Sequence, residues 1–131
     1  MIPLEPETTY HIYNRANGNE NIFSDEGNYF FFLEKYQKYI SSFSDTFCYC
    51  LMPNHFHLLL RIKDEKQLKE VFSPAAFPKC KTLEKLLSKQ FSNLFSSYTQ
   101  AYNKQQGRMG SLFMKNFKRK KISDQQYLLK L

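Results

Sequence analysis

The clearest pattern in the chain is an alternation of polar and apolar residues over positions 55–62. Successive side chains of a β-strand point to opposite faces, so a strand here separates two sets of residues. The set that would face a core comprises Phe56, Leu58, Leu60 and Ile62. The set on the opposite face comprises His55, His57, Leu59 and Arg61. The pattern therefore predicts a half-buried strand with two histidine side chains side by side on its outer face.

Two further extended segments accompany this strand. Residues 8–15 are rich in Thr, Tyr and Ile, which favour strands, and the sequence Asn17-Gly18-Asn19 ends the segment. Residues 47–51 form the other segment, and Pro53-Asn54 separates it from the histidine strand. The short separation favours an antiparallel pair, and the sequence leaves open whether it is a tight hairpin or one bent pair.

Helical spacing of apolar residues predicts two long helices. The first begins after a cap at Ser24 and runs to about residue 40, with an apolar stripe that we assign to the core. The stripe consists of Tyr29, Phe32, Leu33, Tyr36 and Ile40. The second helix runs from a cap at Thr82 to about residue 105, where Gly107 suits its C-terminal turn. A short helix over residues 64–72 and a loop over residues 73–81 lie between them.

The order of the elements predicts the fold class. Residues 110–122 read as a last strand, and Ser123 or Asp124 would cap a final helix. The main order is then strand, helix, strand, strand, helix, strand, which is typical of the ferredoxin-like fold. We therefore predict one α+β domain over residues 1–131, a ferredoxin-like antiparallel sheet with helices packed on one face. The other face of the sheet would be free to hold a ligand.

Positive charge is concentrated in one part of the chain. The formal net charge is +7, and five cations fall within residues 115–121. These are Lys115, Lys118, Arg119, Lys120 and Lys121. Phe113 and Phe117 lie among them, and aromatic and cationic side chains together can stack bases and hold phosphates. The cluster predicts a nucleic-acid partner, and an ordinary solvated surface is the alternative.

The number and spacing of the cysteines bear on the cellular compartment in which the protein is expected to lie. Cys48, Cys50 and Cys80 form an odd set without a signal peptide, which favours a reducing cytoplasm. Cys48 and Cys50 are unsuited to an ordinary disulfide, and we expect buried thiols there rather than zinc ligands acting with His55 and His57. No apolar run approaches the roughly 20 residues that cross a bilayer, so we expect no membrane partner.

Three sequence blocks resemble the insertion-sequence-200-like transposases, which are HUH single-tyrosine enzymes, and most of all their REP-associated tyrosine transposase subgroup. The blocks are residues 10–15 (YHIYNR), 49–59 (YCLMPNHFHLL) and 107–113 (GRMGSLF). They match in order across nearly the whole chain. The resemblance implies a domain that binds single-stranded or hairpin DNA and cleaves and rejoins it through a 5′-phosphotyrosine link. Family members occur as monomers and as dimers, so a homodimer is possible.

The resemblance also implies the site residues. His55 and His57 would hold a divalent metal ion, Mg²⁺ or Mn²⁺, that polarises the scissile phosphate. Two imidazoles suit Mn²⁺, Co²⁺ or Zn²⁺ better than Mg²⁺, and further oxygen ligands would be needed. The predicted DNA contacts are Arg15, Arg61, Lys63, Lys115, Lys118, Arg119, Lys120 and Lys121.

The chain departs from the family pattern at the nucleophile. In the family the catalytic tyrosine follows a Tyr-Leu-type segment by roughly six residues, and Tyr127-Leu128-Leu129 matches that segment. The expected nucleophile and an amide metal ligand would then lie past the last residue given, as in a domain truncated before them. Within the chain, Tyr127 is the candidate nucleophile, and Gln125 or Gln126 is the candidate amide ligand.

Two functions follow from this departure. The first is a metal-dependent DNA transposase or nickase. The second is a catalytically inactive, domesticated module that binds hairpin DNA. Tyr98 and Tyr102 do not decide between them, because both fall on the apolar side of the second long helix, where we expect core residues.

Overall fold

The computed structural model describes residues 2–72 and 82–123 and contains four strands and three helices in that part of the chain. The elements are β1 (Thr9–Arg15), α1 (Glu26–Tyr39), β2 (Ser44–Met52), β3 (His55–Ile62), α2 (Glu65–Val71), α3 (Leu83–Gln106) and β4 (Lys118–Ile122). The loop predicted over residues 73–81 and the final helix predicted after residue 123 lie outside the described residues. Among the described helices, none has both the length and the apolar character that a membrane crossing requires.

The four strands form one antiparallel sheet in the order β2-β3-β1-β4. The predicted α+β class with an antiparallel sheet is confirmed, and α2 confirms the short helix predicted over residues 64–72, between β3 and α3. Met52 pairs directly with His55, so Pro53 and Asn54 alone connect β2 to β3. The alternatives left open by the sequence are thereby resolved in favour of a tight two-residue hairpin.

The core lies between the two central strands and the two long helices. The apolar helix-facing side chains of β1 and β3 are each 1% exposed or less, and they are Tyr10, Ile12, Phe56, Leu58, Leu60 and Ile62. The Phe56 ring lies 5.5 Å from that of Phe32 on α1 and 5.5 Å from that of Phe95 on α3. Both helices therefore cover the same face of the sheet, and the histidine-bearing face, which we call the open face, is left uncovered by them.

The ends of the helices follow local hydrogen-bond chemistry. Asp25, and not Ser24 as predicted, caps α1: its carboxylate accepts from the Asn28 N–H at 3.0 Å, and the Asn28 side chain accepts from the Asp25 N–H. This reciprocal pair satisfies two N–H groups of the first turn. At α3 the prediction is confirmed, because Thr82 caps the start and Gly107 ends the helix with a φ of 63°.

The last strand is shorter than predicted. β4 covers only its final five residues, and the part before it runs as an irregular segment with one isolated bridge between Phe113 and Ala16. Positive φ angles at Gly110 (87°) and Asn116 (62°) turn the backbone away from the extended conformation on either side of that bridge. The prediction of a continuous strand over residues 110–122 is therefore wrong in its first half.

Phe32 and Phe30 test the orientation of α1. Phe32 is 0% exposed and packs on Phe23 and Phe56, whereas Phe30 on the same helix is 65% exposed. We expect Phe32→Ala to lower the free energy of unfolding by about 3–5 kcal/mol, because a buried ring is lost and a cavity is left. Phe30→Ala is the matched control and should change it by about 0.5 kcal/mol or less. Urea unfolding measures both, and equal losses would contradict this orientation.

Candidate metal and nucleic-acid site

Two histidines of β3 stand together on the open face of the sheet. His55 and His57 are separated by one residue, and strand alternation places them on the face opposite to the buried Phe56. Their ring centroids are 5.2 Å apart, and the ring planes are nearly perpendicular. Both side chains are half-buried, so they remain accessible to a ligand. The structure thus places the two rings as the sequence pattern predicts.

A third histidine, His11 of β1, joins the pair. Its Nε2 lies 2.8 Å from Nδ1 of His57, which is a hydrogen-bond distance between the two rings. In the antiparallel register Tyr13 is opposite His57 and His11 is opposite Leu59, so the two histidines meet diagonally across the strands. The sequence alone assigned His11 no role, because a diagonal contact requires the strand register.

The hydrogen bonds of the β3 histidines leave one nitrogen of each ring for another ligand. Nδ1 of His55 lies 2.8 Å from Oδ1 of Asn54, and an amide oxygen can only accept. Nδ1 of His55 is therefore the donor in this contact, which leaves Nε2 as the nitrogen that can coordinate a metal ion. Nδ1 of His57 is likewise engaged, by His11. Metal-binding histidines are typically oriented in this way by a partner on the second ring nitrogen.

The donor set fits a divalent ion that keeps several non-protein ligands. Within residues 2–72 and 82–123, no cluster of three or more His, Cys, Asp or Glu side chains could hold a metal ion. His55 and His57 would therefore supply two nitrogen ligands, and oxygen atoms from water or a phosphate would supply the others. Two imidazoles favour Mn²⁺, Co²⁺ or Zn²⁺ over Mg²⁺. The site is suited to an ion that must also bind a substrate oxygen.

The surroundings of two of the histidines lower their pKa and so favour the neutral form. Burial lowers the pKa of His57, and the neighbouring His55 lowers it further. Burial also lowers the pKa of His11, with smaller contributions from His57 and Lys120. A neutral imidazole is the form that coordinates a metal and that can accept a hydrogen bond.

An aromatic side chain extends the histidine cluster. The Tyr13 ring is stacked at 5.7 Å from that of His57 and lies 4.8 Å from that of His11. Tyr13 is half-buried on the same open face. The three rings together form a partly exposed aromatic surface of the kind on which unpaired bases stack.

Cations of β4 flank these rings on one side. Lys118 is paired with Tyr13 and Lys120 with His11, and directly opposed residues of an antiparallel pair share a face. Both lysines are exposed. On β1 itself, Arg15 is exposed at the end of the strand and is paired with His55. Three of the predicted DNA contacts therefore lie on the open face beside the histidines.

Two other cations of β4 have different surroundings. The side chain of Arg119 is 3% exposed, makes a 3.3 Å ion pair with Glu84 of α3 and lies 4.4 Å from the Phe117 ring. It therefore points to the helix side of the sheet, and we do not include it in the DNA surface where the sequence placed it. Lys121 lies 3.5 Å from Glu5, although both side chains stay about half exposed.

The remaining predicted contacts are dispersed. Arg61 lies on the open face but at the far end of β3, opposite Thr9. Lys63 follows β3 and donates to the Ser42 carbonyl at 3.1 Å. Lys115 is exposed in the irregular segment before β4. Strand position thus separates a compact group near the histidines from cations that are merely nearby in sequence.

The tyrosines of α3 belong to the core, as predicted. Tyr98 is 1% exposed and donates to the Ile22 carbonyl, and Tyr102 is buried in contact with the Ser24 hydroxyl. Burial raises the pKa of Tyr98 well above the ordinary tyrosine value. Neither hydroxyl is available to attack a phosphate. Tyr127 lies outside the described residues.

The thiols of β2 are exposed, which corrects the expectation that they are buried. Cys48 and Cys50 are free and lie on the outer strand of the sheet, where Cys50 is paired with His57. Strand β2 is exposed on both faces because the long helices cover the central strands more fully. A cavity of about 380 Å³ opens between these thiols and the rings of His11 and His57.

A larger cavity of about 640 Å³ lies elsewhere, between α3 and residues 110–117. Hydroxyl and amide side chains of α3, including Ser92, Thr99 and Asn103, form one wall, and none of the three histidines lines it. This larger cavity is therefore separate from the histidine site. The candidate site is therefore identified by the position of the three histidines and not by the size of a cavity.

Comparison with known proteins supports the fold. No protein-family model matches the chain, and no curated protein matches it. Among solved structures, the chain is similar to a REP-associated tyrosine transposase bound to a REP hairpin, with a TM-score of 0.63 and 8% sequence identity. The match covers 99% of this chain and 65% of the transposase chain. At this identity the likeness shows a shared fold, and the chain spans about two thirds of that protein.

The lowered histidine pKa values predict a loss of stability in acid. Because the pKa values of His11 and His57 are lowered in the folded state, the unfolded chain binds more protons once the pH falls through about 6.5. We therefore expect the free energy of unfolding to decrease between pH 7 and pH 5 in protein treated with EDTA. Urea unfolding at several pH values measures this decrease. It should be smaller in His57→Gln, and an equal or larger decrease in that variant would contradict the assignment.

Proposed function

We propose that this protein is a transposase-like domain that binds single-stranded or hairpin DNA on the open face of its sheet. We propose further that it acts by the chemistry of the HUH single-tyrosine transposases, with metal-assisted cleavage and rejoining through a 5′-phosphotyrosine link. One observation carries the proposal: His55 and His57 lie together on this face, and Lys118 and Lys120 lie on the same face two strands away, next to Tyr13 and His11 of the intervening β1. The solved transposase of the same fold is bound to a hairpin, which supports a hairpin as the ligand.

The open face offers a phosphate the groups that it requires. On β4, Lys118 lies next to the Tyr13 ring and Lys120 lies next to the His11 ring. At the end of β1, Arg15 is paired with His55. All three cations lie on the β1–β4 side of the β3 histidines, so a DNA backbone that crosses β4 and β1 toward β3 would meet them before it reaches His55 and His57. Phosphate contacts of this kind position a nucleic acid without reading its sequence.

The histidines would hold the ion close to the same phosphate. His55 and His57 each present Nε2, with Nδ1 engaged by Asn54 and His11 respectively. When bound there, Mg²⁺ or Mn²⁺ would act as a Lewis acid on a phosphate oxygen. The contacts at Nδ1 of each ring, with Asn54 and His11, would help to hold the two rings in place when the ion binds.

The aromatic rings favour unpaired DNA over duplex. Tyr13 stacks on His57 and is partly exposed, and base stacking on an aromatic ring requires a base that is free of its own stack. The phosphate next to such a base would fall near Lys118, which is paired with Tyr13. A hairpin with a single-stranded extension would satisfy both contacts.

The nucleophile decides between the two functions. For cleavage, a tyrosine oxygen would bond to phosphorus while the 3′-oxygen leaves, and Tyr127 is the candidate for this role. The alternative is an inactive hairpin-binding module. Tyr98 and Tyr102 on α3 are buried and hydrogen-bonded in the core, so neither can serve as the nucleophile in place of Tyr127. A homodimer is compatible with both functions and stays a prediction.

Lys120 tests the binding surface. We expect Lys120→Gln to weaken binding of a hairpin with a single-stranded extension several-fold at low salt, because one phosphate contact is lost. The slope of log Kd against log salt should fall by about 0.7, the value for one contact to single-stranded DNA. Lys38→Gln removes the same charge from α1 on the covered side of the sheet and is the control. Fluorescence anisotropy measures both, and equal effects would contradict the proposed surface.

A covalent adduct tests the cleavage chemistry. The protein is incubated with labelled hairpin DNA and Mn²⁺, then separated on a denaturing gel. The transposase function predicts an adduct that is absent from Tyr127→Phe and from His57→Ala, although both variants still bind the DNA. Binding by the wild type without any adduct would support the inactive module. Absence of binding at low salt would contradict both functions.

A further inference from the structure

We propose that His11 is a positioning residue that controls, through the proton it shares with His57, whether His57 can coordinate a metal ion. The inference rests on the proposed function, because it takes Nε2 of His57 as the coordinating atom. It concerns a residue of β1 that is outside the proposed metal-ligand pair. The observation behind it is the 2.8 Å contact between Nε2 of His11 and Nδ1 of His57.

A hydrogen bond between two neutral imidazoles has only two arrangements, because each ring carries one proton. In the first, His57 carries its proton on Nδ1 and donates to Nε2 of His11. Nε2 of His57 then has a free lone pair and can bind a metal ion. In the second, His11 donates from Nε2 to Nδ1 of His57. His57 then carries its proton on Nε2, where it blocks coordination.

Metal binding at His57 therefore requires one tautomer of His11. His11 must present an unprotonated Nε2, which places its own proton on Nδ1. The exchange between the arrangements moves protons between ring nitrogens and changes no net charge. A side chain at position 11 that can accept a hydrogen bond should support coordination by His57, and one that cannot accept should oppose it.

The position of the proton on His11 depends on its contact with Nδ1 of His57. Nδ1 of His11 is buried and has no hydrogen-bond partner within the described part of the chain. No other described group therefore fixes which nitrogen of His11 carries the proton. His55 differs, because the Asn54 amide oxygen can only accept and so sets the tautomer of His55 in advance. The two metal-site histidines are thus oriented by partners of different kinds.

Two substitutions separate hydrogen bonding from packing. His11→Gln keeps an acceptor oxygen at about the position of Nε2, whereas His11→Phe keeps a flat ring and removes the acceptor. Titration of Mn²⁺, followed by the EPR signal of the free ion, should show His11→Phe binding about 10- to 100-fold more weakly than the wild type. His11→Gln should bind within about threefold of the wild type. Cys48→Ser changes the lining of the same cavity and is the control, with no expected effect.

Nitrogen-15 NMR of the wild type tests the tautomer without any substitution. In protein saturated with Zn²⁺, which is diamagnetic, the long-range spectrum should show His57 protonated at Nδ1 and coordinated through Nε2. Coordination through Nδ1, or equal Mn²⁺ affinity of His11→Phe and the wild type, would overturn the inference and leave the metal site intact. A wild type that binds neither ion would overturn the proposed metal site and this inference together.

Discussion

The antiparallel register between β1 and β3 is the constraint on which the rest of the structure depends. It places Tyr13 opposite His57 and brings His11 within hydrogen-bond distance of the same ring. Because side chains alternate along a strand, a slip of one residue would turn Phe56 to the open face and bury the histidines. Burial of Phe56 and its aliphatic neighbours under α1 and α3 therefore also determines the direction of the histidines. The packing of the core and the geometry of the histidine site therefore both follow from the register between β1 and β3.

The parts of the fold that could be predicted from sequence are those set by local patterns. The alternation over residues 55–62 identified both faces of β3, because burial of every second side chain has a period of two. Thr82 and Gly107 marked the ends of α3, since capping and a left-handed terminal residue are properties of single positions. The turn at Pro53 and Asn54 could also be predicted from local sequence. That it is a two-residue hairpin became clear only from the pairing of Met52 with His55.

The parts that could not be predicted depend on contacts between distant segments. Arg119 lies in a run of lysines, yet its neighbours Glu84 and Phe117 take it to the helix side of the sheet. His11 gained its partner only through the register of β1 against β3. The exposure of Cys48 likewise followed from the position of β2 at the edge of the sheet. In each case the sequence gives the residue type, and tertiary pairing decides the surroundings.

The central claim is that the open face binds a divalent ion at His55 and His57, next to the surface that receives DNA. Paramagnetic broadening of backbone amide signals by Mn²⁺ tests it most directly. The account predicts that amides of β1 and β3 around His11 and His57 broaden at the lowest Mn²⁺ concentrations, while those around Phe32 on α1 stay sharp. Strongest broadening at the acidic first turns of α1 or α2, with the histidine strands unaffected, would contradict it.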